Sequence, residues 1–175
     1  MFSDPIKNLK QFDLREDMIV ADLGAGTGFY SLALSKIVPR GKVYAIEVVP
    51  DYLQTILNKV KEAKIGNVDC FLGDVEKIGG TKLKDGIIDR VVASNILFQV
   101  EDKDKFIEEV KRILKKDGQV LLIDWTVDNS SPLGNRKEAI SKEQATLLFT
   151  KKGFSKERDI DAGEHHYGMI FIINK

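Results

Sequence analysis

The stretch from Val20 to Tyr30, VADLGAGTGFY, places one carboxylate and three glycines at the end of an apolar run. Glycine has no Cβ, so Gly24, Gly26 and Gly28 let the backbone turn tightly and approach a ligand closely. The residues after Gly28 carry a helical pattern, and the N–H groups that open a helix attract a phosphate or a carboxylate. A dinucleotide fingerprint has the spacing G-x-G-x-x-G. Counted from Gly24 and Gly26, its last glycine would fall on Phe29, whereas the third glycine stands one residue early, at Gly28. Asp22, two residues before the first glycine, is the second distinguishing feature.

Two more acids, Glu47 and Asp74, end apolar runs of their own. A carboxylate at the end of a second strand suits a ribose diol, because it accepts both hydroxyl hydrogens. Asp74 is placed to accept from an exocyclic adenine amino group. Neither acid favours additional phosphates, so the rim fits an adenosine that is not heavily phosphorylated.

These residues need elements to hold them. Short β-branched runs at 18–24, 42–49, 68–74, 87–95 and 119–125 predict buried strands. Helical spacing follows at 29–38, after Pro50 and at 104–116, the last closed by Gly118. Ser141 and Gln144 form a capping box that opens a helix ending near Gly153. The tail reads as two strands joined at 161–164, a connection short enough for an antiparallel hairpin. Five strand–helix units with a terminal hairpin imply a mostly parallel sheet covered on both faces.

Bulk properties narrow the class. A chain of 175 residues is expected to be one domain, 1–175, with 1–16 a short N-terminal extension. Lys+Arg and Asp+Glu both number 27, which disfavours a non-specific nucleic-acid binder. The single cysteine, Cys70, allows no internal disulfide and is expected to be inert core. With no long apolar run and no apolar signal core, no membrane segment is expected, and the location is expected to be cytoplasmic. Two histidines and one cysteine make a metal site unexpected.

Taken together, VADLGAGTGFY, Glu47, GDVEKI and DRVVASNILFQV resemble the class I S-adenosylmethionine-dependent methyltransferases. The resemblance implies an α/β fold: a Rossmann-like, doubly wound, mostly parallel seven-stranded sheet of order 3-2-1-4-5-7-6 with a C-terminal antiparallel hairpin. It implies S-adenosyl-L-methionine as cofactor, with Asp22, Gly24, Ala25, Gly26 and Gly28 around its methionine part. It further implies Glu47 on the ribose, Asp74 and the Val75 N–H at the adenine edge, and Ser94 and Asn95 below the methionine and methyl group. Asn95 is not followed by the Pro-Pro-aromatic run of amino-methylating nucleic-acid enzymes. The small-molecule branch that includes quinone-biosynthesis enzymes is therefore the nearer likeness, although NILFQV lacks the histidine often found there.

For the acceptor side, His165, His166 and Tyr167 are the candidate catalytic residues, because the hairpin turn before them falls on the ligand-bearing rim. Alternation sets His165 and Tyr167 on one face and His166 on the other. Tyr30 and Trp125 are expected to pack. Since strand one opens almost at the start, no substantial cap is expected. The acceptor site is then either shallow, or completed by a second subunit in a homodimer or by a lid at 126–140. Two alternatives remain open: a non-catalytic cofactor-binding or regulatory protein, and an NAD-dependent oxidoreductase, which Phe29 and the hairpin oppose.

Overall fold

The computed structural model describes residues 3–127 and 139–174. Five apolar runs form parallel strands: β1 (Ile19–Leu23), β2 (Lys42–Glu47), β3 (Val68–Leu72), β4 (Ile88–Ser94) and β5 (Leu114–Trp125). β6 (Phe154–Ile160) and β7 (His166–Ile173) complete a seven-stranded sheet of order β3-β2-β1-β4-β5-β7-β6. β7 is antiparallel to both β5 and β6, so β6 runs with the other strands and the hairpin turn lies at their carboxyl ends. The expected order and hairpin are both present.

The central strands are buried on both sides because helices cover each face. α1 (Pro5–Leu9), α2 (Phe29–Ile37) and α3 (Pro50–Glu62) lie on one face, where Leu9, Leu34 and Ile56 pack with Val20, Val43 and Val92. α4 (Lys103–Ile113) and α5 (Lys142–Lys151) lie on the other, with Phe106, Val110 and Phe149 against Val91, Val120 and Phe171. Alternation along β1 therefore assigns Val20 and Asp22 to the α1–α3 face and Ala21 and Leu23 to the α4–α5 face.

Three local expectations are revised. The helix predicted over 104–116 stops at Ile113, because Leu114 is fully buried and pairs with Ile88 at the start of β5. Residues 115–118 then bulge out, with Asp117 at φ 59°, before Gln119 pairs with Arg90. Residues 73–87 between β3 and β4 form turns and no helix, so there are four strand–helix units rather than five. At the N-terminus, Asp4 caps a helix that went unpredicted, accepting the Ile6 and Lys7 N–H groups just before Pro5 takes the first helical position.

The helix-free connection is held by one buried acid. Glu109 of α4 accepts from the N–H groups of Gly79 and Thr81, the Thr81 hydroxyl and the Arg112 guanidinium. Desolvation pushes its carboxyl up, but the bonds from Arg112, Thr81 and Gly79 outweigh it and hold the pKa at about 2. This contribution is complete above the ordinary value of 4.5 and is lost as pH falls toward about 2. Glu109→Ala leaves the buried Thr81 N–H without its acceptor and Arg112 with only Asp85, the Leu83 carbonyl and the Thr81 hydroxyl, with an expected cost of about 3 kcal/mol in urea unfolding at neutral pH.

Candidate functional site

All three glycines of the first loop have left-handed backbone, with φ of 68° at Gly24, 55° at Gly26 and 86° at Gly28. A Cβ on Gly24 would stand 2.3 Å from Cδ1 of Ile96, while one on Gly26 would meet nothing within 4 Å. Both glycines are required by conformation; at Gly24 a Cβ would also make the end of the Ile96 side chain move, whereas Gly26 stands beside open space. The loop is tied to the end of β2. Gly24 and Ala25 donate to the Ile46 carbonyl at 2.9 and 3.0 Å, and Gly26 donates to Glu47 Oε2 at 2.7 Å. Glu47 Oε1 accepts from the N–H groups of Val48 and Val49, each at 2.9 Å. Gly28 then opens α2 with no side-chain cap, which leaves the first N–H groups of the helix without a side-chain acceptor.

Above this loop lies a cleft of about 550 Å³, a size suited to a cofactor-scale ligand. Asp22, Gly24, Ala25 and Gly26 line it from β1 and the loop, and Ser94, Asn95 and Gln99 from the end of β4. Asn95 is left-handed at φ 55°, a conformation asparagine tolerates better than most residues. Its Oδ1 is buried without a hydrogen-bond partner. Tyr30 of α2 and Ser3 and Pro5 of the N-terminal segment complete the wall.

That segment is strapped to the hairpin turn. Ser3 Oγ donates to the Ala162 carbonyl at 3.0 Å, Lys7 pairs with Asp161 at 2.6 Å, and Gln11 exchanges two hydrogen bonds with Asp161. From beneath, Asn8 donates to the Tyr30 hydroxyl at 2.7 Å. The short extension therefore roofs part of the cleft. Its signal in the sequence was Asp4-Pro5, a helix start that a reading centred on the glycines passes over.

Asp22 is the one carboxylate, and the one charged side chain, among the described residues lining the cleft. It is 2% exposed, and the Ser31 hydroxyl donates to it at 2.5 Å. Burial raises its pKa from 3.8 to about 6, against the lowering effect of Ser31 and with a further push from Glu47. A carboxylate that remains largely ionised at neutral pH, yet is held where ionisation is disfavoured, is an electrostatic receptor for a cation.

The other predicted residues fall in different places. Asp74 is outside the cleft's lining: it accepts from the Glu76 N–H at 3.0 Å and pairs with Lys77 at 3.0 Å, and the Lys77 bond lowers its pKa. Val75 is buried in the α4–α5 core. His165, His166 and Tyr167 are likewise not among the lining residues. His166 stacks on Trp125 with ring centroids 4.1 Å apart, both ring nitrogens unpartnered, and desolvation followed by the influence of His165 lowers its pKa to about 4. Tyr167 packs into the opposite face, its hydroxyl buried and its pKa raised by burial. The predicted lid at 126–140 lies mostly outside the described residues.

One acid escaped the sequence reading. Asp124 near the end of β5 is 1% exposed and accepts from the N–H groups of Trp125 at 2.8 Å and Phe98 at 3.2 Å. It thereby anchors the loop that carries Asn95 and Gln99. Burial raises its pKa to about 6. The signal was available, since Asp124 ends an apolar strand just as Asp22 does.

Residues 14–168 match the model of a family described as Methyltransferase domain. The chain belongs to this family. A solved S-adenosylmethionine-dependent methyltransferase from Aquifex aeolicus is 31% identical, with a TM-score of 0.89 over 99% of this chain and 91% of that one. A ubiquinone/menaquinone biosynthesis C-methyltransferase of Hydrogenovibrio crunogenus is 30% identical over 65% of this chain and 44% of its own length. A relative from Methanococcus maripaludis, named as a decarboxylating cobalt-precorrin-6B C(15)-methyltransferase, is 32% identical over 81% and 84%. The chain thus spans less than half of the quinone-biosynthesis relative it matches. The class I family expectation is borne out, and the oxidoreductase alternative gains nothing from it.

The cleft of this methyltransferase domain fits S-adenosylmethionine on its own evidence. Open space beside Gly26, the unpartnered Asn95 Oδ1 and the desolvated Asp22 carboxylate await a compact ligand carrying hydrogen-bond donors and positive charge. Asp22→Asn keeps the shape and removes the charge. Because the raised pKa means that ionised Asp22 costs stability above pH 6, the variant is expected to unfold at equal or higher temperature at neutral pH. Its cofactor affinity is expected to fall about tenfold or more. For the wild type, affinity measured by calorimetry is expected to rise with pH through about 6. The two glycines are expected to separate in the same assays. Either alanine strains a left-handed position at about 1–2 kcal/mol of stability. Gly24→Ala must in addition displace the end of the Ile96 side chain, whereas Gly26→Ala has its larger effect on cofactor binding.

Proposed function

We propose that this protein is an enzyme that transfers a methyl group from S-adenosylmethionine to a small-molecule acceptor by direct in-line displacement. The observation that carries the reading is the buried Asp22 carboxylate facing a cleft walled by left-handed glycines. When bound, the cofactor supplies an electrophilic methyl group on a sulfonium. Asp22 faces the positive charge, and the glycine loop and α2 N-terminus receive the methionine portion. Glu47 already accepts three backbone N–H groups and keeps lone-pair capacity for a ribose hydroxyl. Asp74 and the Val75 N–H serve the adenine edge, and Ser94 and Asn95 the methionine end.

The chain's contribution to the rate is alignment and exclusion of water, supplied by the roof of Ser3 and Pro5. His166 alone of the three acceptor-side candidates shares the sheet face of Asp22, but burial lowers its pKa to about 4 and makes it a weak base, so its assigned role is contact with the acceptor rather than proton transfer. Tyr167, directed to the α4–α5 face, is assigned to packing, and His165 to the turn, where its carbonyl accepts from Thr126. Support for a small acceptor comes from relatives named for quinone and cobalt-precorrin C-methylation. A second subunit, if present in solution, is expected to complete the acceptor side.

Radiolabelled methyl transfer to a fractionated cell extract tests the proposal. Label is expected in the small-molecule fraction; label in protein or nucleic acid would refute the acceptor class, and binding without any transfer would favour a regulatory role. Glu47→Ala is expected to weaken cofactor binding by about 1–3 kcal/mol, because a charged acceptor of several hydrogen bonds is lost. Unchanged affinity would remove Glu47 from the site.

A further inference from the structure

The acceptor's charge can be read from the walls of the cleft. Apart from Asp22, every described side chain that lines it is uncharged. Lys59, at the rim, is committed to the Thr27 carbonyl at 2.7 Å and to the face of Phe29 at 4.9 Å. With Asp22 engaged by the cofactor, an acceptor bearing a carboxylate or phosphate would meet no counter-charge among the described residues of the cleft, and a buried unpaired charge is strongly disfavoured. The wall does contain an oriented neutral donor. Tyr30 is 8% exposed and lines the cleft, and its hydroxyl accepts from Asn8 Nδ2 at 2.7 Å, which directs the phenolic proton away from Asn8, toward the Ser94 hydroxyl and the ligand space that Ser94 also lines. Burial raises the pKa of Tyr30, so that proton is retained at neutral pH. Asn8 itself is fully buried and strapped in place by the N-terminal segment, so the hydroxyl is oriented before any ligand arrives. Phe29 and Pro5 supply apolar surface beside it.

We propose that Tyr30, oriented by Asn8, is the specificity residue of the acceptor side, and that the acceptor is an uncharged, largely apolar molecule with one hydrogen-bonding oxygen. The inference rests on the S-adenosylmethionine reading above. The test loads the protein with S-adenosylhomocysteine and titrates it with 1-naphthol and with 1-naphthoate, which share a ring system and differ in charge. Calorimetry is expected to give at least about tenfold tighter binding of the naphthol, the scale of one unpaired buried polar group. Tyr30→Phe is expected to weaken naphthol binding about five- to tenfold while S-adenosylhomocysteine affinity stays within about twofold. Equal or tighter binding of the naphthoate, binding of neither probe, or unchanged naphthol affinity in Tyr30→Phe would overturn the proposal. So would loss of S-adenosylhomocysteine affinity in that variant, which would make Tyr30 part of the cofactor site. Failure of the wild-type protein to bind S-adenosylhomocysteine at all would instead overturn the reading on which the proposal rests.

Discussion

The hydrogen bond from Gly26 to Glu47 joins the first two strands where they leave the sheet. Inside the sheet, β1 and β2 are held by a regular parallel ladder that ends at Leu23 and Ile46. Beyond it, the chain of β1 must reverse into α2 within five residues, through three left-handed positions. Such a turn has few internal hydrogen bonds of its own. The Ile46 carbonyl takes two of its N–H groups and the Glu47 carboxylate takes a third, so β2 serves as the template on which the loop is cast. The α2 N-terminus, the Asp22 carboxylate and the Tyr30 hydroxyl all inherit their positions from that tie.

Asp22 shows what the site gives up for function. Its pKa is raised to about 6 because the Ser31 bond only partly offsets desolvation, so the folded protein holds a charge it would shed in the absence of other demands. Strain of this kind belongs where a ligand relieves it. The same rim is reinforced on its other side by Asp124, which holds the loop after β4, and by the strap from Ser3 to Gln11 on the hairpin turn. The two walls of the cleft are therefore fixed by contacts far apart in sequence, while the floor is fixed by neighbouring strands.

Much of the architecture was legible because it rests on local pattern. Apolar strands, the capping box at Ser141 and the short tail connection carry their signals within a few residues, and each was found close to its expected place. The glycine loop was legible for the same reason, since left-handed backbone has a strong residue preference. What escaped depended on long-range contact. Leu114 belongs to β5 only because Ile88 stands opposite, and helical spacing alone continued the preceding helix through it. Phe29 fits an apolar helical stripe but is 68% exposed, since the first turn of α2 projects past the core to the mouth of the cleft. Tyr30, expected to pack, does so and also lines the cleft, a dual role that requires knowing where Asn8 lies.

Four acids near strand ends make the limit of residue-type reasoning clear. Asp22, Glu47, Asp74 and Asp124 occupy equivalent topological positions, yet each meets a different environment. Asp22 is desolvated with one hydroxyl donor; Glu47 is wrapped by three N–H groups. Asp74 is drawn to the ammonium of Lys77 and ionises more readily than usual, whereas Asp124 is buried and ionises less readily despite its N–H partners. Position at the carboxyl edge of a parallel sheet brings acids toward a ligand, but desolvation and the count of donors decide which one meets it with uncompensated charge. In this chain that residue is Asp22. Its isolation among the neutral described side chains of the cleft makes that cleft receptive to a cationic ligand.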